Sequence, residues 1–238
     1  MDSEYKGRVS SFERISKSVR LINVKLTSPT EIEFEPGQYL ALLLPDSDKV
    51  SYYSIASSPH KVGEIELLVK EDTLGEGACY LFSLKAGNSI KFKAPMGDAF
   101  FRQDCGRDLI FAVGTSGASY ARSILHYLVE QKRLGQQQVY YFMGAYHEDE
   151  LMESDYFRQL DEQVESFHFI PAVSHDPEYS GEIGLITDVM ERRLLDNLYN
   201  YDAYSAGPEG MVNAVAELLM EKKGLKSDCF FSDLYSKK

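Results

Sequence analysis

Residues 109–125 read LIFAVGTSGASYARSIL, and this stretch decides the fold of the second half of the chain. Its first five residues are a continuous apolar run, which is typical of a strand buried on both faces of a parallel sheet. The following GTSGAS has the small residues of a tight strand-to-helix loop. Apolar residues then recur on one helix face, at Ala121, Ile124, Leu125 and Leu128. Together these features predict the first βα unit of an open α/β sheet.

The rest of the second half alternates between strand-like and helix-like patterns. Predicted strands fall at residues 139–143, 167–173, 201–206 and 229–234, and predicted helices at residues 151–160, 186–195 and 209–223. Alternation of this kind indicates a parallel, doubly wound sheet with helices on its faces.

The first hundred residues have a different pattern, in which short runs rich in β-branched and aromatic residues follow one another closely. Predicted strands fall at residues 9–14, 19–26, 39–44, 52–56, 64–69 and 89–93, with one helix at 77–84. We therefore expect an N-terminal antiparallel six-stranded β-barrel domain at residues 1–103. A doubly wound α/β nucleotide-binding domain with a parallel sheet is expected to follow at residues 104–238.

Composition excludes several classes of function. The 238 residues carry a net charge of −12, which argues against a nucleic-acid surface. Cys79, Cys105 and Cys229 are scattered, so the sequence predicts neither a disulfide framework nor a metal site. No apolar stretch approaches the roughly 20 residues of a membrane helix, and no signal peptide is recognised, so we expect no membrane partner and a cytoplasmic location.

Three loops in the second half have residues suited to a nucleotide, because each follows a predicted strand. Glycine lets the backbone approach a phosphate, and a helix N-terminus offers free N–H groups. Taken singly, the loop at 114–119 is equally consistent with a tight turn, the loop at 206–211 is more often merely a turn, and His147 in the loop at 144–147 is more often a surface histidine. The candidate nicotinamide-nucleotide residues are Gly114, Thr115, Ser116, Gly117, Ser119, Tyr146, Ala206, Gly207, Pro208, Glu209 and Met211.

In the first half, SYYSIAS at residues 51–57 is a predicted strand with aromatic faces and hydroxyls. An aromatic ring stacks on a planar ligand, and a hydroxyl both donates and accepts a hydrogen bond. Taken alone, Tyr52, Tyr53 and Ile55 are better explained as ordinary strand residues, and only together with the second half of the chain do they favour a ligand-binding strand.

The order of these features resembles the ferredoxin–NADP reductase superfamily. That pattern has a flavin strand R-x-Y-S-x-[AS]-S, a G-T-G-type loop, [CA]-G-P-x-x-M, and a last strand ending in an acidic residue and an aromatic, here residues 231–235 with Asp233 and Tyr235. The fragments SYARSIL, PGQY and P-x-G-D-A-F are similar to bacterial NAD(P)H:flavin oxidoreductases. That group includes the reductase supplying reduced flavin in luminous bacteria.

The resemblance implies hydride transfer from nicotinamide C4 to flavin N5. It implies that Tyr53 packs on the isoalloxazine and that Ser54 hydrogen-bonds N5. The resemblance implies that Asp233 either orients the nicotinamide carboxamide or relays a proton. The residue is equally consistent with a surface carboxylate that has no role in the reaction. Lys70 either reaches the flavin N1/C2 edge or is solvated. The flavin-binding set implied is Ser51, Tyr52, Tyr53, Ser54, Val69, Lys70 and Ser116, with Ser54 and Asp233 as the catalytic candidates.

Two departures from the superfamily pattern concern the flavin phosphate. Ser51 stands at the arginine position, and Ala78 stands at the hydroxyl position of a G-x-x-[ST] turn in which Glu76 would repel a phosphate. A charge-assisted hydrogen bond contributes about 1.5–3 kcal/mol, or roughly one to two decades of affinity. We therefore predict that flavin (riboflavin, FMN or FAD) is held by its ring and exchanges as a substrate.

Tyr146 stands where NADPH-dependent relatives often have an arginine, and three acidic residues follow it at 148–150. This predicts NADH over NADPH, with NADPH still possible. The resemblance favours a monomer or weak dimer, with a flavin-dependent monooxygenase or luciferase as the recipient of reduced flavin. Two alternatives stay open: a reductase that keeps its flavin and passes electrons to a protein partner, and an inactive flavin- or nucleotide-binding module.

Overall fold

The computed structural model describes residues 3–16, 18–45, 47–71, 75–103 and 105–234. The chain forms two compact units. The first is Met1–Phe101 with Arg122–Tyr127, and the second is Arg102–Ala121 with Leu128–Lys238. The division into domains at residues 1–103 and 104–238 stays a prediction.

The first unit is built on a six-stranded antiparallel sheet with the order β4-β3-β6-β1-β2-β5. In β6, Ile90, Phe92 and Ala94 are buried and alternate with exposed neighbours, as expected for a strand with one face on the core. Ala56 N, just after edge strand β4, donates to Glu66 O of the opposite edge strand β5 at 2.8 Å and closes the sheet. The predicted antiparallel barrel is confirmed. Its strands are β1 (Ser3–Arg14), β2 (Val19–Ser28), β3 (Tyr39–Leu43), β4 (Val50–Ser54), β5 (Glu64–Lys70) and β6 (Ser89–Met96), and helix α1 spans Glu76–Ser83.

The second unit is built on a six-stranded parallel sheet with the order β10-β9-β8-β7-β11-β12. The chain proceeds from β7 through β8 to β9 on one side and returns to the other side for β11. Strand order therefore reverses between β7 and β11, where open α/β sheets bind ligands. The predicted doubly wound fold is confirmed. Its strands are β7 (Asp108–Gly114), β8 (Val139–Ala145), β9 (Phe167–Val173), β10 (Glu182–Ile183), β11 (Tyr201–Ala206) and β12 (Phe230–Phe231), and its helices are α2 (Ala118–Glu130), α3 (Ser154–Gln163), α4 (Ile186–Arg193) and α5 (Glu209–Glu217).

Several boundaries differ from the sequence prediction. β10 was not predicted, because a two-residue strand has no detectable periodicity. The predicted last strand at 229–234 shortens to Phe230–Phe231, following a 3₁₀ turn at Ser227–Cys229. The predicted helix at 209–223 is α-helical only to Glu217 and continues as a π-helical turn at Leu218–Lys222, which apolar spacing does not distinguish from an α-helix. Tyr235 lies outside the described residues.

Among the residues that the structure describes, no helix is both long and apolar enough to cross a bilayer.

Candidate functional site

A cavity of about 340 Å³ opens at the carboxyl edge of the parallel sheet. Its floor is formed by small residues at three strand ends, Gly114, Gly144 and Ala172. Ile186 and Met211 line the cavity wall. The exposed side chains of Tyr146 and Leu185 also border it. The cavity is largely apolar, with backbone groups of glycine-rich loops at one end.

The predicted loops at 114–119 and 206–211 are brought together at this edge. A Cβ on Gly117 would collide with the backbone carbonyl of Ala206. Gly207 has a φ of +146°, and a Cβ there would lie 2.8 Å from Met211 Cε and 2.9 Å from Gly114 N. The two loops therefore pack backbone against backbone, which requires glycine on both sides. Thr115–Gly117 form a 3₁₀ turn that leads directly into α2, whose first turn contains buried Ser119.

The loops after β8 and β9 meet beside the same cavity. Tyr146 N donates to Glu150 Oε2 at 3.0 Å, and the Tyr146 ring stands edge-on to His175 with 5.0 Å between ring centroids. Asp176 accepts a hydrogen bond from Glu148 N at 2.6 Å, and its other oxygen lies 2.7 Å from His147 Nδ1. Asp176 was not among the residues predicted from the sequence.

Comparisons with known proteins agree with this geometry. A family model described as an oxidoreductase FAD-binding domain matches residues 6–101, and one described as an oxidoreductase NAD-binding domain matches residues 111–217. The chain belongs to the ferredoxin–NADP reductase-like superfamily. The predicted superfamily is confirmed, and both matching family models describe oxidoreductase domains.

Relatives of two kinds match this superfamily member along nearly its whole length. It is 30% identical to the reductase component of phenol 2-monooxygenase from Pseudomonas sp. strain CF600, over 98% of this chain and 66% of that protein. It is 29% identical to the NAD(P)H-flavin reductase of Vibrio harveyi, over 96% of this chain and 97% of that protein. The chain thus spans about two thirds of the first relative and nearly all of the second.

Solved structures of the superfamily match the whole fold. The ferredoxin reductase in carbazole 1,9a-dioxygenase matches with a TM-score of 0.83 and 26% identity, over 98% of this chain and 69% of that one. The FAD/NAD-binding domain of a nitric oxide dioxygenase from Vibrio cholerae matches with a TM-score of 0.81 at 22% identity, over 97% and 98% of the two chains. The second match supports the fold alone.

The strand predicted to face the flavin corresponds to β4, and β4 packs against the first turn of α1. A Cβ on Gly77 would collide with the side chain of Ser51 and lie 2.8 Å from Tyr53 Oη. Glu76, the first residue of α1, forms an exposed ion pair with Lys49. Ser51 stands at the arginine position of the superfamily pattern and Ala78 at its hydroxyl position, and both lie beside a tightly packed helix turn that begins with the Glu76 carboxylate.

The remaining flavin candidates differ in accessibility. Tyr52 is 61% exposed and stands edge-on to Tyr39, whereas Tyr53 and Ser54 are half-buried. Lys70 ends β5 and is half-buried. The Val69 side chain is buried in the barrel core, so only its backbone is available to a ligand.

Ser116 and Asp233 are exposed residues of the second unit. Asp233 follows β12 and lies close enough to Tyr120, in the first turn of α2, to influence it. Burial raises the pKa of Tyr120 well above its ordinary value, and the neighbouring Tyr204 and Asp233 raise it further. The structure thus brings Asp233 near the start of α2, directly after the loop at 114–117.

A buried charge in the first unit was missed by the sequence analysis. Arg122 donates to Ala56 O at 2.8 Å and to Glu66 Oε2 at 2.6 Å, and Lys61 pairs with the same carboxylate. Burial acts to raise the pKa of Glu66, but Arg122 and Lys61 more than offset it, so the pKa lies below its usual range. Ala56 follows Ser54 by two residues, so Arg122 fixes the chain just beyond the candidate flavin strand.

His126 lies one helical turn beyond Arg122 and gives a first prediction. Burial, assisted by Arg122, lowers its pKa to about 4 from an ordinary value of 6.5. Below pH 6.5 His126 is protonated in the unfolded chain but stays neutral in the folded chain. The free energy of unfolding therefore decreases as pH falls toward 4. We expect the free energy of unfolding to fall by about 2 kcal/mol between pH 7 and pH 5 from this group.

Denaturant unfolding at the two pH values checks this expectation. His126→Gln should lose most of the pH dependence, and His168→Gln, which changes a half-exposed histidine on β9, should retain it. An unchanged pH dependence in His126→Gln would contradict the prediction.

Proposed function

We propose that this protein is an NAD(P)H:flavin oxidoreductase that oxidises NADH, reduces a loosely bound flavin and releases that flavin. The observation that carries the proposal is the packing of α1 against Ser51 and Tyr53, with Glu76 at the helix start. Neither Ser51 nor Ala78 offers the charge or hydroxyl that the superfamily pattern uses for a flavin phosphate. The similarity to the full-length Vibrio harveyi flavin reductase supports the same function.

The residues at the sheet edge fit a nicotinamide nucleotide. The glycine contacts at Gly114, Gly117 and Gly207 let the loops at 114–117 and 206–208 approach one another closely at the edge of the cavity. The 3₁₀ turn at 115–117 and the start of α2 offer N–H groups suited to a pyrophosphate. Of the predicted residues, Gly114, Thr115, Pro208, Met211 and Tyr146 line the cavity. We assign the nucleotide to these residues together with the adjoining loop residues Ser116, Gly117, Ser119, Ala206, Gly207 and Glu209.

The residues of β4 fit a flavin ring. The half-buried Tyr53 offers an aromatic face for stacking, and Ser54 offers a hydroxyl that donates or accepts as the ring changes its protonation at N5. When both ligands are bound, the nicotinamide and the flavin supply the hydride chemistry. Lys70 would favour negative charge on the reduced ring, and Asp233 would orient the carboxamide. Ala206 occupies a position at which a thiol often stands, so no cysteine is required.

Restoring the missing cation at position 51 tests the flavin assignment. In the unaltered protein, riboflavin and FMN should bind with similar Kd values. Ser51→Arg should tighten FMN roughly tenfold to a hundredfold while leaving riboflavin nearly unchanged, because a charge-assisted bond acts on the phosphate alone. Ser11→Arg, on the exposed face of β1, is the matched control. Equal effects of the two substitutions on FMN would contradict the assignment.

An assay of NADH oxidation separates the proposal from its rivals. After gel filtration, turnover should require added riboflavin. Flavin that stays bound through gel filtration, with turnover dependent on a protein acceptor, would instead support an oxygenase reductase component, which the 30% identity to the phenol 2-monooxygenase reductase favours as the second candidate. No turnover with either addition would indicate an inactive binding module.

The recipient of the reduced flavin belongs to the same proposal. A flavin-dependent monooxygenase or a luciferase fits an enzyme that releases its product, and we propose no nucleic-acid partner. A monomer or weak dimer stays a prediction.

A further inference from the structure

The loops after β8 and β9 form a histidine–carboxylate cluster, defined as Tyr146, His147, His175 and Asp176. The two histidine rings lie 6.0 Å apart between centroids, and Asp176 bridges His147 Nδ1 and the Glu148 amide. The carboxylate is therefore oriented by two hydrogen bonds from the neighbouring loop. Both His147 and Asp176 keep solvent-accessible surface, with side chains 54% and 34% exposed.

The cluster stands at the edge of the cavity assigned to the nucleotide. Tyr146 and Ser174 both border that cavity, and Ser174 Oγ lies 2.8 Å from His175 Nδ1. In open α/β sheets, the end of the second strand is where the adenosine ribose of a dinucleotide lies. A phosphate on the ribose 2′-oxygen would thus meet the charges of this cluster.

The charges facing His147 come from two loops. Asp149 and Glu150 lie on the 3₁₀ turn after β8, and Asp176 and His175 lie on the loop after β9. Glu150 is folded back onto the Tyr146 amide, and Glu148 contributes its own amide to Asp176. Asp176 is accordingly the carboxylate held in place beside the titratable His147.

We propose that Asp176 and His147 are specificity-determining residues that select between NADH and NADPH, and that their selection changes with pH. This inference rests on the proposed function. With His147 neutral, the oriented Asp176 and its acidic neighbours repel a 2′-phosphate. With His147 protonated, the pair is neutral, and an N–H donor stands beside the position of the 2′-oxygen. Discrimination against NADPH is therefore strong at high pH and weaker at low pH.

The electrostatics of the pair support this direction. The hydrogen bond to Asp176, together with the charges of Asp176, Glu150 and Asp149, raises the pKa of His147 above its ordinary value. The hydrogen bonds from His147 and from the Glu148 amide hold the pKa of Asp176 below its usual range. His147 is therefore protonated at a higher pH than an ordinary histidine, and Asp176 stays ionised to a lower pH than an ordinary aspartate.

Binding of two probes tests the proposal without relying on turnover. The probes are adenosine 2′,5′-bisphosphate and adenosine 5′-monophosphate, with Kd values measured by calorimetry at pH 6 and pH 8. The ratio of the two Kd values should shift toward the bisphosphate by about fivefold at the lower pH, beyond the shift caused by the probe's own phosphate. The variant His147→Gln measures the contribution of the probe's phosphate by itself, because in this variant that phosphate still titrates and residue 147 does not. The NADPH-to-NADH ratio of kcat/KM should follow the same pattern.

Two further variants sharpen the test. Asp176→Asn should improve binding of the bisphosphate at both pH values, whereas Glu165→Gln, an exposed residue at the opposite end of β9, should leave the ratio unchanged. A ratio with the same pH dependence in the unaltered protein and in His147→Gln overturns the inference. If adenosine 5′-monophosphate fails to bind, the assignment of the nucleotide site itself is wrong. If NADH turnover is normal but the variants leave the ratio of the two Kd values unaltered, only the proposed selection between NADH and NADPH is wrong.

Discussion

Gly117→Ala is expected to lower kcat/KM for NADH by more than about a hundredfold, because displacing a positioning loop by an ångström costs about two decades of rate. A Cβ at residue 117 would collide with the carbonyl carbon and oxygen of Ala206, and both are backbone atoms. Neither side of this contact is the end of a flexible side chain. The loop at 114–117 and the turn at 206–208 would therefore have to move apart, and these are the loops assigned to the nucleotide.

Gly210→Ala is the matched control, since it adds the same methyl group beside the same cavity, in the first turn of α5. A Cβ at residue 210 meets no heavy atom within 4 Å. Steady-state kinetics and thermal unfolding of both variants should be measured together. We expect Gly210→Ala to change kcat/KM for NADH far less than Gly117→Ala, because it displaces no backbone, and Gly117→Ala to raise the KM for NADH while remaining folded. Unaltered NADH kinetics in a folded Gly117→Ala would contradict the assignment of these loops.

The loop at 114–117 could be predicted from the sequence, but its contact with Ala206 could not. A continuous apolar strand, a run of small residues and an amphipathic helix are local patterns, and local patterns report local structure. The contact between Gly117 and Ala206 depends on β11 lying beside β7, which is a property of strand order. Only the superfamily resemblance linked the two loops before the structure did.

The same distinction explains what was missed. The flavin strand was predicted within two residues of β4, yet the closeness of Ser51 to Gly77 depends on where α1 packs. Asp176 reaches His147 across 29 residues of chain, so no spacing signal connects them. The sequence analysis assigned Arg122 no role, because its burial depends on the barrel residues around it.

Arg122→Gln is expected to destabilise the protein by up to about 3–5 kcal/mol, the cost of breaking a buried ion pair, because Glu66 then depends on its ion pair with Lys61, whose side chain is 35% exposed. Arg122 is 7% exposed and bonds both Glu66 and the carbonyl of Ala56. The loss should be smaller in acid, since Glu66 stays ionised only above its depressed pKa and is protonated as pH falls through that value. Denaturant unfolding at neutral and acid pH measures both effects.

Two comparisons decide whether the buried pair is responsible. Lys222→Gln breaks an ion pair with Glu191 whose side chains are more than half exposed, and such exposed pairs contribute only about 0–1 kcal/mol. The double variant Arg122→Gln with Glu66→Gln should be more stable than Arg122→Gln alone, because it also removes the Glu66 carboxylate that has lost its ion pair with Arg122. A double variant no more stable than the single one would instead assign the loss to the bond with Ala56 O. The chain just beyond Ser54 would then be held by a neutral hydrogen-bond acceptor rather than by charge.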